Sequence, residues 1–146
     1  MAETQGLFGR YYVVPTATAM AKGWDLCQGS ARDYHILRRL ALSLAFWPTD
    51  ADLDWSWIKG AENLHMGEMR IGETIAGNNN LRIIFFKANR TLADDPQHAD
   101  GEIMHRIWLL TIIQKKRQEL SANQVAAWRG MRTIIVQRHY DGRSDV

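Results

Sequence analysis

A single cysteine, Cys27, excludes an intrachain disulfide and any multi-cysteine metal site, and it fits a reducing compartment. Cys27 itself reads as a small packing residue. No stretch approaches the roughly 18 to 20 apolar residues that a membrane span requires, and MAETQGLFGR at residues 1–10 shows no cationic start followed by an apolar run. The expectation is a cytoplasmic chain without a membrane partner. Internal repeats, low-complexity tracts and a convincing linker are also lacking, so residues 1–146 read as one domain. Nor is either sign of charge in large excess: 18 Lys and Arg stand against 16 Asp and Glu, and a formal net charge of +2 does not by itself announce a polyanion ligand.

What is present is a core and an uneven charge distribution. Hydrophobic residues make up 46% of the chain, enough for one buried core. From position 106 onward lie Arg106, Lys115, Lys116, Arg117, Arg129, Arg132, Arg138 and Arg143, against only Glu119, Asp141 and Asp145. A surface with that bias could meet a polyanion.

The patterning indicates an α+β chain. Tyr11 to Pro15 is an aromatic and β-branched run that predicts a first strand, ended or placed at an edge by Pro15. Ser30 followed by Asp33 resembles a helix cap, and Leu37, Leu40, Ala41 and Leu44 recur at helical spacing, which predicts a helix over 31–46. Trp47 to Gly60, with Pro48 and Asp50, Asp52 and Asp54, reads as a turn-rich connection containing one short helical turn. Three strands follow in GEMRIGETI, NLRIIFFKANR and RIWLLTIIQKK, the first two joined through the turn signal Ala76-Gly77-Asn78-Asn79-Asn80. The connection 88–105 reads as an exposed insertion. Ser121 with Gln124 matches a capping box, and Val125, Trp128, Met131 and Ile135 form the stripe of a closing helix. Residues 141–146 read as a flexible tail. Trp108 and Trp128 read as core residues.

Strand pairing gives the basic residues a meeting point. If the three strands are antiparallel neighbours, Arg82 and the end of the third strand, Lys115-Lys116-Arg117, return to one edge. The most symmetric register sets Arg82 opposite Thr111, with Lys115 on the same face about 13 Å along the strand. A one-residue slip selects Lys116 instead. The same reasoning pairs Arg70 with Lys87. Other titratable candidates are His65 before the sheet, and His139 with Tyr140 at the last helix end. His98 and His105, with Asp94, Asp95, Asp100 and Glu102, have no recognised ligand spacing, so neither a metal nor a cofactor is expected.

Trp57-Ile58-Lys59-Gly60 leading to Gly67-Glu68-Met69-Arg70-Ile71, then Leu81 to Phe86, then Ile107 to Lys116 and the helix Ser121 to Arg132, resemble the RelE/ParE-like toxin superfamily and its HigB-like, phage-derived branch. The resemblance implies a RelE-like fold: an N-terminal strand and helices, a three-stranded antiparallel sheet and a C-terminal helix. It implies the toxin of a type II toxin–antitoxin pair, an endoribonuclease that cleaves translated mRNA, often on the ribosome, and is restrained by a helix-turn-helix antitoxin. Cleavage is attack by the substrate's own 2′-hydroxyl on the adjacent phosphate, which needs proton transfer and cations around the phosphate. Arg82, Lys115 and Lys116 are then the catalytic candidates, and Arg70, Lys87 and Arg117 the RNA-binding ones. The alternative implied by the same scaffold is a non-catalytic binding protein, either a gyrase-directed ParE-like toxin or an inactive member.

Overall fold

Six consecutive buried residues, Leu81 to Phe86, form a strand covered on both faces, which is what the run Leu-Arg-Ile-Ile-Phe-Phe demands. The computed structural model describes residues 9–48, 53–116 and 119–146. Among them the chain forms β1 (Tyr11–Pro15), α1 (Ala17–Leu26), α2 (Ala31–Leu42), β2 (Trp55–Trp57), β3 (Met66–Ile71), β4 (Leu81–Lys87), β5 (His105–Gln114) and α3 (Ala122–His139). The strands make one mixed sheet in the order β1-β5-β4-β3-β2, with β1 parallel to β5 and the other pairs antiparallel. No helix among the described residues is long and apolar enough to cross a membrane.

Alternation along the strands divides the sheet between two cores. Met69, Ile71, Ile83, Phe85, Ile107, Leu109 and Ile112 face α1 and α2, while Met66, Ile84, Phe86, Trp108 and Leu110 face α3. Gly67 lies opposite Phe85, and a Cβ there would stand 2.4 Å from the Phe85 ring, so only glycine lets that ring cross β3. Beyond it Trp47, Trp55 and Trp57 pack edge to face at 5.0 to 5.6 Å, an aromatic extension of the α1/α2 core.

The helices start where their caps direct. Ser30 accepts a hydrogen bond from the Asp33 N–H, and Ser121 and Gln124 close a reciprocal capping box. The predicted helix over 31–46 is α-helical to Leu42 and tightens to a 3-10 turn over Ser43–Phe46. α1, absent from the sequence reading, begins at the cap Thr16 and buries Ala19 and Gly23. Such small buried residues give a weak apolar signal.

The sheet has five strands rather than three. Tyr11–Pro15 joins β5, and Trp55–Trp57, read as part of a turn-rich connection, pairs with β3. A three-residue strand has no periodicity to detect; only its pairing reveals it.

The segment 88–105, read as an exposed insertion, is largely exposed but anchored at a few buried points. Much of its surface is open, from Asn89 to Ile103, but Asp95 is buried against Arg106 and also accepts the Leu92 N–H, and Ala88 and Met104 are buried. Arg106 in turn lies between the Tyr12 and Trp108 rings, 5.4 and 5.2 Å from their centroids. The final residues also pack: Val146 is 2% exposed, Arg132 donates to its main-chain oxygen, and Asp145 pairs with Arg90 and Arg143. The apolar Val146 and the acid at 145 give that tail anchors the polar composition of 141–145 conceals.

Candidate functional site

β3 stops at Ile71, and residues 72–80 form the connection, with Gly77 and Asn80 at positive φ. The strand is therefore shorter than GEMRIGETI suggests, and Arg70 lies opposite Arg82, not Lys87. Two arginines directly across a strand pair repel. They resolve the conflict by parting: Arg70 turns to exposed Asp54, with Nε to Oδ2 at 3.8 Å, while Arg82 stays 5% exposed and reaches Glu68, with Nε to Oε1 at 3.5 Å.

A bulge completes the site. Ile84 faces Thr111 but Phe85 faces Leu109, so Leu110 is the extra residue and Arg82 lies opposite Ile113 instead of Thr111. Lys115 is then two residues beyond Ile113, only about 7 Å along the strand and on Arg82's face. Its Nζ donates to the same Glu68 Oε1 at 3.3 Å. One carboxylate thus holds two cations with little water around any of them, and the three carry a residual charge of +1.

Above this triad opens a cleft of about 270 Å³, walled by Ser56 and Lys59 from the β2 side and by Glu119, Leu120 and Val125 at the start of α3. It shares Lys115, Glu119 and Leu120 with an adjoining hollow of about 550 Å³ that reaches Lys116, Ser121 and Gln124. Lys115 is the cation common to both. The arrangement can receive an anionic group at Lys115 beside a carboxylate able to take a proton.

The other predicted residues disperse. Lys116 is exposed, and alternation turns it from Arg82's face. Lys87 lies at the far end of β4, hydrogen-bonded to Asn89 at 2.8 Å and 5.8 Å from the Tyr11 ring centre; burial lowers its pKa. Arg117 falls outside the described residues. His139 stacks 4.9 Å from Trp108, and the Tyr140 hydroxyl accepts the Trp108 Nε1–H at 3.1 Å, so this pair packs the end of α3. Burial pushes the Tyr140 phenol up. His98 pairs with Asp100 at 3.2 Å, and among the described residues no three His, Cys, Asp or Glu side chains gather as metal ligands.

His65 belongs to a separate group. At φ 56° it places Nδ1 3.0 Å from Asn89 Nδ2 and its ring 5.9 Å from that of Trp57. Burial, then Lys87 and Arg132, lower its pKa. The unfolded chain takes up this proton near pH ~6.5 while the folded chain resists it, so His65 removes stability as pH falls below about 6.5. His65→Asn, which tolerates the left-handed backbone, is expected to flatten the loss of thermal stability between about pH 7 and pH 5.5. An unchanged difference in Tm between those two conditions would refute the assignment.

Glu68 is the residue that sequence reasoning did not single out. Its signal was an acid inside a strand flanked by the apolar residues Met66, Met69 and Ile71, where burial requires a cationic partner. Compared with family models, curated proteins and solved structures, the chain shows no significant match.

Proposed function

We propose that this chain has a RelE-like fold and is the toxin of a type II toxin–antitoxin pair, an endoribonuclease acting on translated mRNA and restrained by a helix-turn-helix antitoxin. The observation that carries the reading is the shared contact of Arg82 and Lys115 with Glu68 on the floor of an open cleft. The succession of N-terminal strand and helices, the neighbouring antiparallel strands β3, β4 and β5, and the closing helix supports the fold.

In this mechanism the substrate phosphate enters beside Lys115. Glu68 takes the proton of the 2′-hydroxyl as the 2′-oxygen bonds to phosphorus. The bond from phosphorus to the 5′-oxygen breaks, and that oxygen takes a proton from the Lys115 ammonium, leaving a 2′,3′-cyclic phosphate and a 5′-hydroxyl. Arg82 is a positioning residue: from beneath, it fixes Glu68 and adds positive potential where charge collects on phosphorus. Lys59, at the cleft wall, meets a neighbouring phosphate.

Induced expression is expected to arrest growth and to create new 5′ ends in translated messages, mapped by primer extension. Lys115→Ala should abolish both while the protein remains folded. A second reading, a non-catalytic binding protein on this scaffold, draws on the near-complete burial of Arg82 beside its counter-ion, the usual setting of a structural ion pair. Growth arrest without new 5′ ends would decide for that binding protein.

A further inference from the structure

The proposed cleavage assigns nothing to the hollow of about 550 Å³ beside the cleft, although Lys115 lines both spaces. The hollow falls within the range of small-molecule sites, roughly 300 to 1,000 Å³. Ile113 near the end of β5 and Leu120 just before α3 line it, and both pack on the core beneath α3. Such apolar surface suits the flat face of a nucleobase and offers nothing to a phosphate. An RNA whose phosphate is held at Lys115 can therefore lay a neighbouring base on Ile113 and Leu120.

Glu119 selects the base. Among the described residues it is the one acid that lines this hollow. Arg82 and Lys115 are both bound to Glu68, so neither offsets Glu119, and a carboxylate at that wall repels an RNA backbone. What it attracts is a hydrogen-bond donor, since a carboxylate only accepts, through two oxygens. Guanine alone among the four bases presents two adjacent donors on its Watson–Crick edge, N1–H and N2–H, and beside them the acceptor O6. Adenine, cytosine and uracil each set an acceptor against one of the two oxygens. Lys116, turned from Arg82's face, lines the same hollow and can only donate. We infer that the hollow between the end of β5 and the start of α3 is a guanine-reading subsite, in which Glu119 accepts from N1–H and N2–H and Lys116 donates to O6. The inference rests on the RNA reading of the cleft and adds base selection to it.

The test uses the full chain and labelled oligouridylates with 2′-O-methyl riboses, which cannot be cleaved, carrying one central guanosine, inosine, adenosine or cytidine. Fluorescence anisotropy is expected to show the guanosine RNA binding about tenfold more tightly than the adenosine, cytidine or all-uridine RNA, with inosine, which lacks the N2 amine, between them. Glu119→Gln, left with one acceptor, should bring the guanosine and all-uridine RNAs within about twofold of each other without lowering affinity for the latter. Lys116→Met should weaken the guanosine RNA more than the all-uridine one. Both side chains are exposed, and circular dichroism verifies that each variant is folded. Binding without base preference, preference for another base, or a guanosine preference that survives Glu119→Gln overturns the inference and leaves the RNA reading standing. An equal loss of affinity for every RNA in Glu119→Gln also overturns it. Failure of every RNA to bind the unaltered chain overturns the RNA reading and the inference together.

Discussion

Glu68→Gln is expected to slow cleavage of a single-stranded RNA by about 10²- to 10⁴-fold, the range for removing a general base. Glutamine keeps the length and shape of the side chain and can still accept from Lys115, so the triad's geometry is largely retained, but it cannot take the 2′-hydroxyl proton. The same change removes the anion that competes with the substrate phosphate for Lys115. RNA affinity should therefore rise while the single-turnover rate falls. This opposition separates a proton acceptor from a structural counter-ion, whose loss would lower binding and rate together as the site loosened. Glu68→Asp, which retains a carboxylate on a shorter stem, should recover part of the rate. Cleavage by folded Glu68→Gln protein within about threefold of the unaltered chain removes Glu68 from the mechanism.

The parts of this site differ in how far sequence exposes them. The common face of Arg82 and Lys115 followed only from the register chosen, since a slip of one residue would have put Lys116 there instead. That register overstated their separation. Both depend on the pairing of β4 with β5, Lys87 opposite Ile107, and on the bulge at Leu110, which moves Arg82's partner from Ile112 to Ile113 and so puts Lys115, not Lys116, on its face. The consequence is large, because the observed register halves the distance along the strand and brings Glu68 between the two cations. Caps were legible for the opposite reason. Ser30 and Ser121 act through neighbours three residues away, so no tertiary information is needed. The short strand Trp55–Trp57 was hidden because its pairing is nonlocal, whereas α1 has a local cap at Thr16 but buries only Ala19 and Gly23, so no apolar stripe marked it.

The same dependence on nonlocal contact makes the Asp95–Arg106 pair the strongest test of how residues 88–105 are held. The Asp95 carboxylate is wholly shielded from solvent, bonded to Arg106 and to the Leu92 N–H, and Arg106 is confined between two aromatic rings. Among the described residues, Asp95→Ala leaves desolvated Arg106 with exposed Asp94, at 3.3 Å, as its one counter-ion. The expected cost is about 3–5 kcal/mol, read as a lower urea midpoint and as faster proteolysis within 88–105. Replacing both partners has a different result. Asp95→Leu with Arg106→Met exchanges a buried ion pair for apolar groups of similar volume, and its stability should return to within about 1 kcal/mol of the unaltered chain or exceed it. The Leu92 N–H loses its acceptor in both proteins, so that loss cancels between them, and the difference reports the stranded charge together with the apolar packing that Leu and Met restore. If Asp95→Ala and the double variant are equally unstable, the stranded charge is not what destabilises the chain. The segment is then anchored by the Leu92 turn and Met104, and the ion pair is incidental to the fold.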